Sequence, residues 1–240
     1  MTRDRPTVLV TRTAPGCFDT ELGLDAAGFD PIVSPALEIV PLETPLSPLQ
    51  AVTGLVFTSA NGVRAFCSRS DRRDIVAWCV GPATAAYAQA EAFLDVRNAG
   101  GDADDLAAFI KGSTEPESER LIHVANDAAA GNLVRSLRKV GYHAEFAALY
   151  TTRPSAALSS PALEALTNGR ISTVLVHSAK GAQGFANLIA GVSTATIALV
   201  AISYRASKPL LALDWRGIHI AEAPNEDALI KALRMCYTPE

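Results

Sequence analysis

The residues of this chain that can do chemistry are short, polar and gathered in turns. FTSANGV, residues 57–63, runs from an apolar strand pattern into a helical one. Thr58 opens the turn, Ser59 or Asn61 can cap the helix, and Gly62 lets the backbone approach closely. The unpaired N–H groups of such a helix start, over Ser59, Ala60, Asn61 and Gly62, favour an anion, by on the order of 0.3–1 kcal/mol for a carboxylate. Plain capping satisfies the same pattern. HSAKG at 177–181 has the same form with Ser178, Ala179 and Lys180, the lysine serving as a point charge or as a solvated surface group. VGPATA at 80–85 sets Gly81 and Pro82 in a turn, with Ala83 and Thr84 opening a helix. AISYRAS at 201–207 brings Ser203, Tyr204 and Arg205 to the end of a strand pattern, where open α/β sheets bind their ligands.

Other chemistries find little support. TRTAPG at 11–16, with Arg12, loosely resembles a flavodoxin phosphate loop, but aromatics at 6% leave no evident partner for a flavin ring. The four histidines show no ligand spacing, and His123, His177 and His219 fall in strand patterns where packing is the ordinary reading, so no metal is expected. A Walker loop, a dinucleotide fingerprint, GxSxG and a Cys/His nucleophile pattern are absent. An enzyme of this composition is expected to work without a cofactor, by binding and positioning. Tyr150, in an extended segment, either packs or presents its phenol to a ligand.

The elements that hold these turns are legible from periodicity. Apolar runs at 8–10, 55–57, 76–80, 120–124, 172–176 and 195–202 alternate with amphipathic segments, the βαβ pattern of parallel sheets covered on both faces. Leu133, Val134, Leu137 and Val140 form one helical stripe that Gly141 ends. Asn225 caps a later helix with Glu226 and Asp227 in its first turn and Leu229, Ile230 and Leu233 inward. Two stretches recur in the order first, second, first, second. The stretch from residue 7 to 39 aligns without a gap on a later one, placing Gly28 on Gly141, Phe29 on Tyr142 and Leu37 on Tyr150. LVFTSANGVRAF aligns on LVHSAKGAQGF, placing Ser59 on Ser178, and GGDADDLAAFI aligns on APNEDALIKAL. A boundary near residue 115 suits this duplication. So does an exchange in which the first unit joins the last, linked by extended crossings at 35–42 and 146–154. The pattern alone prefers neither.

Hydrophobic residues at 49% and charged residues at 19% are enough for a sizeable core, and a net charge of −4 with no basic cluster argues against nucleic acid as a partner. Cys17, Cys67, Cys79 and Cys236 lie far apart and read as free thiols in a reducing compartment. No export signal is evident at the start, and the longest apolar stretch, 195–202, is too short to span a bilayer. A cytoplasmic protein without membrane contact is expected.

Taken in order, VLVTR, FTSANGV, VGPATA, LYTTRP, HSAKG and APNEDALIKAL resemble the uroporphyrinogen-III synthase family along nearly the whole chain. No single motif is specific; their order and spacing are. The resemblance implies two flavodoxin-like parallel-sheet domains joined by a two-stranded β-ladder hinge, one domain from 1–36 and 154–240 and an inserted one from 37–153. It implies a lyase that takes hydroxymethylbilane, a linear tetrapyrrole with eight carboxylates, into a cleft between the domains. There it expels the terminal hydroxyl as water, closes the macrocycle and inverts ring D. It also implies a monomer, transient contact with the preceding pathway enzyme, and no cofactor. By the same resemblance Thr58, Ser59, Asn61, Gly62, Thr84 and Ser178 belong to ligand turns and Tyr150 is the cleft tyrosine. Arg12 and Arg205 are carboxylate partners or surface ion-pair members. The 203–206 turn departs from the family's Gly-Pro-x-Thr form. A two-lobed small-molecule sensor without catalysis and a flavodoxin-like electron carrier are the competing readings.

Overall fold

The computed structural model describes residues 5–129 and 131–237. The chain is α/β. It begins with β1 (Thr7–Val10), α1 (Gly16–Ala26) and β2 (Asp30–Val33), and crosses along β3 (Leu37–Pro41). It continues through β4 (Gly54–Phe57), α2 (Ala60–Cys67), β5 (Val76–Cys79), α3 (Pro82–Ala90), β6 (Val96–Asn98), α4 (Ala103–Ser113), β7 (Arg120–Asn126) and α5 (Asn132–Arg138). It returns along β8 (His143–Pro154) into α6 (Ser160–Thr167), β9 (Ile171–Val176), α7 (Ala179–Leu188), β10 (Ala198–Ala201), α8 (Tyr204–Ser207), β11 (Gly217–Ile220) and α9 (Glu226–Met235). Contacts divide it into two compact units, one made of the chain up to Ile39 and from Arg153, the other of Val40–Thr152.

In the first unit the strands lie in the order β11-β10-β9-β1-β2, every neighbouring pair parallel. Both faces are covered, which is why these strands are apolar at consecutive positions and do not alternate. Leu9, Val174, Val176 and Leu199 pack with Ala162, Ala165 and Phe185 of α6 and α7. Val8, Val10, Leu175 and Val200 pack on the other side with Leu24, Leu229 and Leu233 of α1 and α9. The second unit repeats the plan in the order β3-β8-β7-β4-β5-β6. Leu55, Phe57, Ile122 and Val124 meet Phe66, Ala85 and Ala88 of α2 and α3. Val56, Trp78 and Leu121 meet Leu106, Ile110, Leu133 and Leu137 of α4 and α5. Each Val, Leu or Phe so buried contributes about 1.5–3 kcal/mol.

The duplication is visible in the caps. Gly28 at φ 89° and Gly141 at φ 97° end α1 and α5 in the left-handed region. The next N–H, of Phe29 or Tyr142, closes back on Leu24 O at 3.0 Å or Leu137 O at 3.3 Å, the glycine cap that only a residue without Cβ adopts cheaply. Asp102 and Asn225 likewise cap α4 and α9 with their side chains.

Two expectations are corrected. Val140 does not extend the α5 stripe: the helix ends at Arg138, and Val140 is 49% exposed in the turn that Gly141 closes. The strand read over 195–202 forms only at Ala198–Ala201. Residues 194–197 turn instead, with Ile197 N–H on Thr194 O and the Thr194 hydroxyl on Asp214 O. The four cysteines are free, two buried and two half-buried, and burial pushes the Cys67 thiol up to about 11 and Cys79 to about 12. No helix among the described residues is long and apolar enough to cross a membrane.

Candidate functional site

Each sheet has one place where successive strands stop adding in one direction and start adding in the other. In the second unit it lies between β4 and β7, and in the first between β1 and β9. At such a switch point the connections diverge from the carboxyl ends of the two strands and leave a crevice for a ligand.

In the second unit the crevice is built by Thr58, Ser59, Asn126 and Tyr150. Ser59 caps α2 from extended backbone, φ −164° and ψ 157°, and its Oγ accepts the Gly62 N–H at 3.3 Å. Gly62 is required there, because a Cβ would lie 2.6 Å from the carbonyl oxygen of Val124. The start of α2 is therefore pressed against β7. Tyr150 comes from β8, where the pairing with β7 slips: Ala125 pairs with Ala148, but Asn126 pairs with Tyr150, leaving Leu149 as the extra residue of a bulge. The phenol of Tyr150, a residue 6% exposed, lies 2.9 Å from Ser59 Oγ. Burial raises the Tyr150 pKa, only partly offset by the Ser59 hydroxyl and the nearby Asn126 backbone, so the phenol is neutral at physiological pH. Behind it, Thr58 Oγ1 sits 3.2 Å from Nε2 of His123, whose pKa burial lowers to about 4. Asn61 Oδ1 is buried with no hydrogen-bond partner among the described residues.

The neighbouring turn after β5 has a different start. Gly81 is the N-cap of α3 without a side-chain cap, Pro82 occupies the first helical position, Ala83 is exposed and Thr84 is buried beneath it. The N–H groups of Ala83 and Thr84 therefore begin a helix that no side chain seals.

In the first unit the switch point opens a pocket of about 220 Å3 lined by Thr11, Arg12, Thr13, Leu37, His177, Ser178, Gly181 and Ile202. Ser178 caps α7 as Ser59 caps α2, with φ −159°, ψ 153° and Gly181 N–H at 3.0 Å. Arg12 lies over Gly16, where any side chain would displace it, and reaches Glu226 at 3.1 Å and the Thr20 hydroxyl at 3.4 Å. His177 Nε2 lies 3.4 Å from the same Glu226 oxygen. Burial alone would raise the Glu226 carboxyl, but His177, Thr20 and Arg12 together outweigh it and hold it below the usual range.

The structure thus gathers Thr58, Ser59, Ala60, Asn61, Gly62 and Tyr150 in one unit, and Arg12, Ser178 and Ala179 in the other, with Lys180 exposed on the first turn of α7. The 203–206 turn is built differently. Ser203 caps α8 through the Ala206 N–H at 3.2 Å, but that helix has only four residues, Arg205 is exposed, and a buried Ala206 stands where the other half has Thr84. Sequence reasoning missed His177 and Glu226 as members of the Arg12 cluster, and Asn126 and His123 as the supports of Tyr150 and Thr58. The available signal was asymmetry within the repeat: Arg12, His177 and Glu226 stand opposite Ala125, Thr58 and Ala103. Among the described residues no three His, Cys, Asp or Glu side chains converge as a metal site.

Two α/β units, each with a serine-capped helix start at its switch point, define a class of two-domain α/β protein. The chain belongs to the uroporphyrinogen-III synthase family: the family model described as uroporphyrinogen-III synthase HemD matches residues 19–231. Members are lyases of porphyrin biosynthesis, and the family implies a small tetrapyrrole substrate. The fold resembles the crystal structure of uroporphyrinogen-III synthetase from Helicobacter pylori, with TM-score 0.63 and 17% identity over 98% of this chain and 100% of that one. A mutant uroporphyrinogen III synthase from the extremely thermophilic bacterium Thermus thermophilus superposes with TM-score 0.50 and 14% identity over 96% and 98% of the two chains. At these identities the likeness speaks for the fold. No curated protein sequence matches the chain.

Proposed function

We propose that this chain converts hydroxymethylbilane to uroporphyrinogen III. The terminal hydroxyl leaves as water, the macrocycle closes, and ring D is inverted. The observation that carries the proposal is the buried, neutral Tyr150 phenol bonded to Ser59 at the start of α2, a proton donor beside an anion-favouring helix terminus.

The backbone N–H groups at 59–61, 83–84 and 178–180 take acetate and propionate carboxylates, helped by the Asn61 amide and by Arg12, while the Gly62 N–H stays with the Ser59 cap. Thr58 and Thr84 shape those turns. Ser203 and Arg205 form a weaker contact on their single helical turn. Tyr150 gives its proton to the departing hydroxyl as the C–O bond breaks, leaving an azafulvene cation that the substrate's own pyrroles stabilise. The cation is first attacked by the substituted α-carbon of ring D, giving a spiro intermediate; the bond from that carbon to the ring C methylene then breaks and leaves a second azafulvene cation on ring C. The free α-carbon of ring D attacks that cation, so the ring is rejoined inverted, and loss of the proton from this carbon restores the aromatic ring and returns a proton to the phenolate. The net change is loss of one water. Uncatalysed closure gives the type I isomer, so the protein enforces a geometry as well as a rate. The reaction needs no cofactor, and we place it in the cytoplasm, carried out by a single chain in transient contact with the enzyme that supplies the bilane. Expression in a cell lacking its own synthase tests this: growth without added haem is expected, and no growth despite folded protein contradicts it.

A further inference from the structure

The first unit's switch point carries charge that its copy in the second unit lacks. Where the second unit has Ala125, Thr58 and Ala103, the first has Arg12, His177 and Glu226. These three side chains come from the ends of β1 and β9 and the start of α9; Arg12 and His177 line the 220 Å3 pocket, and Glu226 pairs with both of them. Pockets that enclose a whole drug-sized ligand are larger, roughly 300–1,000 Å3. This one has room for a carboxylate-bearing arm and not for a tetrapyrrole.

His177 is the unusual member. Its side chain is 7% exposed, it lines the pocket, and neither ring nitrogen makes a hydrogen bond among the described residues. Nε2 is within ion-pair range of Glu226 without hydrogen-bonding alignment. A buried imidazole left this way is uncommon and asks for a partner. Glu226 Oε1 is also buried and unpartnered. The charged and titratable groups around the ring are Arg12 after β1 and Glu226 of α9, with Thr20 of α1 completing the cluster. Cys17 and Glu21 of α1 lie near one another beside Arg12, and exposed Lys180 stands on α7.

We propose that Arg12, His177 and Glu226 form a proton-linked site for one substrate carboxylate: the entering carboxylate draws Arg12 from Glu226, and His177 takes a proton from solvent and pairs with Glu226 in its place. The inference rests on the reading of the chain as acting on a polycarboxylate. The charge balance requires the exchange. Arg12 and Glu226 neutralise each other in the empty site, and an anion that claims the arginine would strand a partly buried carboxylate, which is strongly unfavourable. An imidazolium restores neutrality. Both of its nitrogens donate, one toward Glu226 and the other toward the pocket. Histidine is the side chain whose ordinary pKa allows such uptake near neutrality. His177 is thus a positioning and specificity residue, and the site's affinity follows pH.

The test is calorimetric titration with uroporphyrin III, a stable octacarboxylate, at pH 7.5 in PIPES and in Tris, whose ionisation heats differ. The parent is expected to take up a measurable fraction of a proton, up to one per chain, on binding. His177→Gln and the isosteric Glu226→Gln should each lose that uptake. Steady-state turnover of hydroxymethylbilane by the parent should show KM rising with pH, by up to tenfold per unit where binding takes up a full proton. His177→Gln should flatten that profile, with its loss carried mainly by KM. Uptake unchanged in His177→Gln, or absent from a parent that binds uroporphyrin and forms type III product, overturns the inference and leaves the proposed function standing. A parent that forms no type III product takes both down.

Discussion

Replacing Tyr150 by phenylalanine removes one oxygen and keeps the ring, so its consequences can be worked from what that oxygen touches. It is 2.9 Å from Ser59 Oγ, and the residue is 6% exposed. Ser59 keeps its bond from Gly62 but loses the phenol as a partner, a hydrogen bond worth about 0.5–1.5 kcal/mol. For a chain of this size that is a fall in Tm of roughly 2–4 °C per kcal/mol, and the fold survives. Catalysis loses more. A positioned general acid contributes typically ~10²–10⁴-fold, so kcat should fall about a hundredfold or more at a pH where the variant is folded. Some turnover remains, because the carboxylate-binding helix starts are intact. Stopped-flow or quenched-flow turnover of fresh hydroxymethylbilane, beside a melting curve of the same preparation, separates the two effects. A variant that melts a few degrees early but turns over at the parent rate refutes the proton-donor role and leaves Tyr150 a packing residue. Because burial raises the phenol's pKa, the donor form persists above the ordinary tyrosine range, so no alkaline loss of kcat below pH 10 should trace to Tyr150.

Other expectations follow from single contacts. Gly62→Ala pushes a methyl to 2.6 Å from the Val124 carbonyl, should cost about 1–3 kcal/mol, and should lift α2 away from β7, lowering activity more than stability. Gly81→Ala meets nothing within 4 Å and should leave the melting curve near that of the parent. His123 is neutral when folded, with its pKa depressed from 6.5 to about 4, so the unfolded chain binds the extra proton first. Its contribution is present above pH 6.5 and lost as pH falls toward 4, roughly 3 kcal/mol in all, and His123→Gln should flatten that stretch of a stability-against-pH curve. Ser178→Ala removes the α7 cap and should cost about 1 kcal/mol by denaturant unfolding, with a rise in KM from the lost ordering of the helix start.

The α/β class and the repeat were readable because they rest on local pattern. Buried parallel strands are apolar at consecutive positions, and Gly28 and Gly141 end helices at matching places in the two halves for a steric reason that composition carries. Val140 was misread because the apolar period runs up to Gly141, while the helix already ends at Arg138 and residues 139–141 form the turn. The strand expected over 195–202 was shortened by a hydroxyl-to-backbone bond from Thr194 to Asp214, a partner twenty residues away. Within the candidate site, the serine caps belong to short motifs. The Arg12–Glu226 pair joins residues 214 apart in sequence, and the bulge that aims Tyr150 depends on register with β7, so neither has a local signature.

The most direct measurement is the isomer ratio of the product. Fresh hydroxymethylbilane is added to the purified chain and to a blank, oxidised after a short interval, and the porphyrins are separated by chromatography. Type III uroporphyrin dominating the enzyme sample, formed faster than the blank closes, is the predicted result. Type I at the blank rate from folded protein contradicts the account and favours a two-lobed binding protein that performs no chemistry.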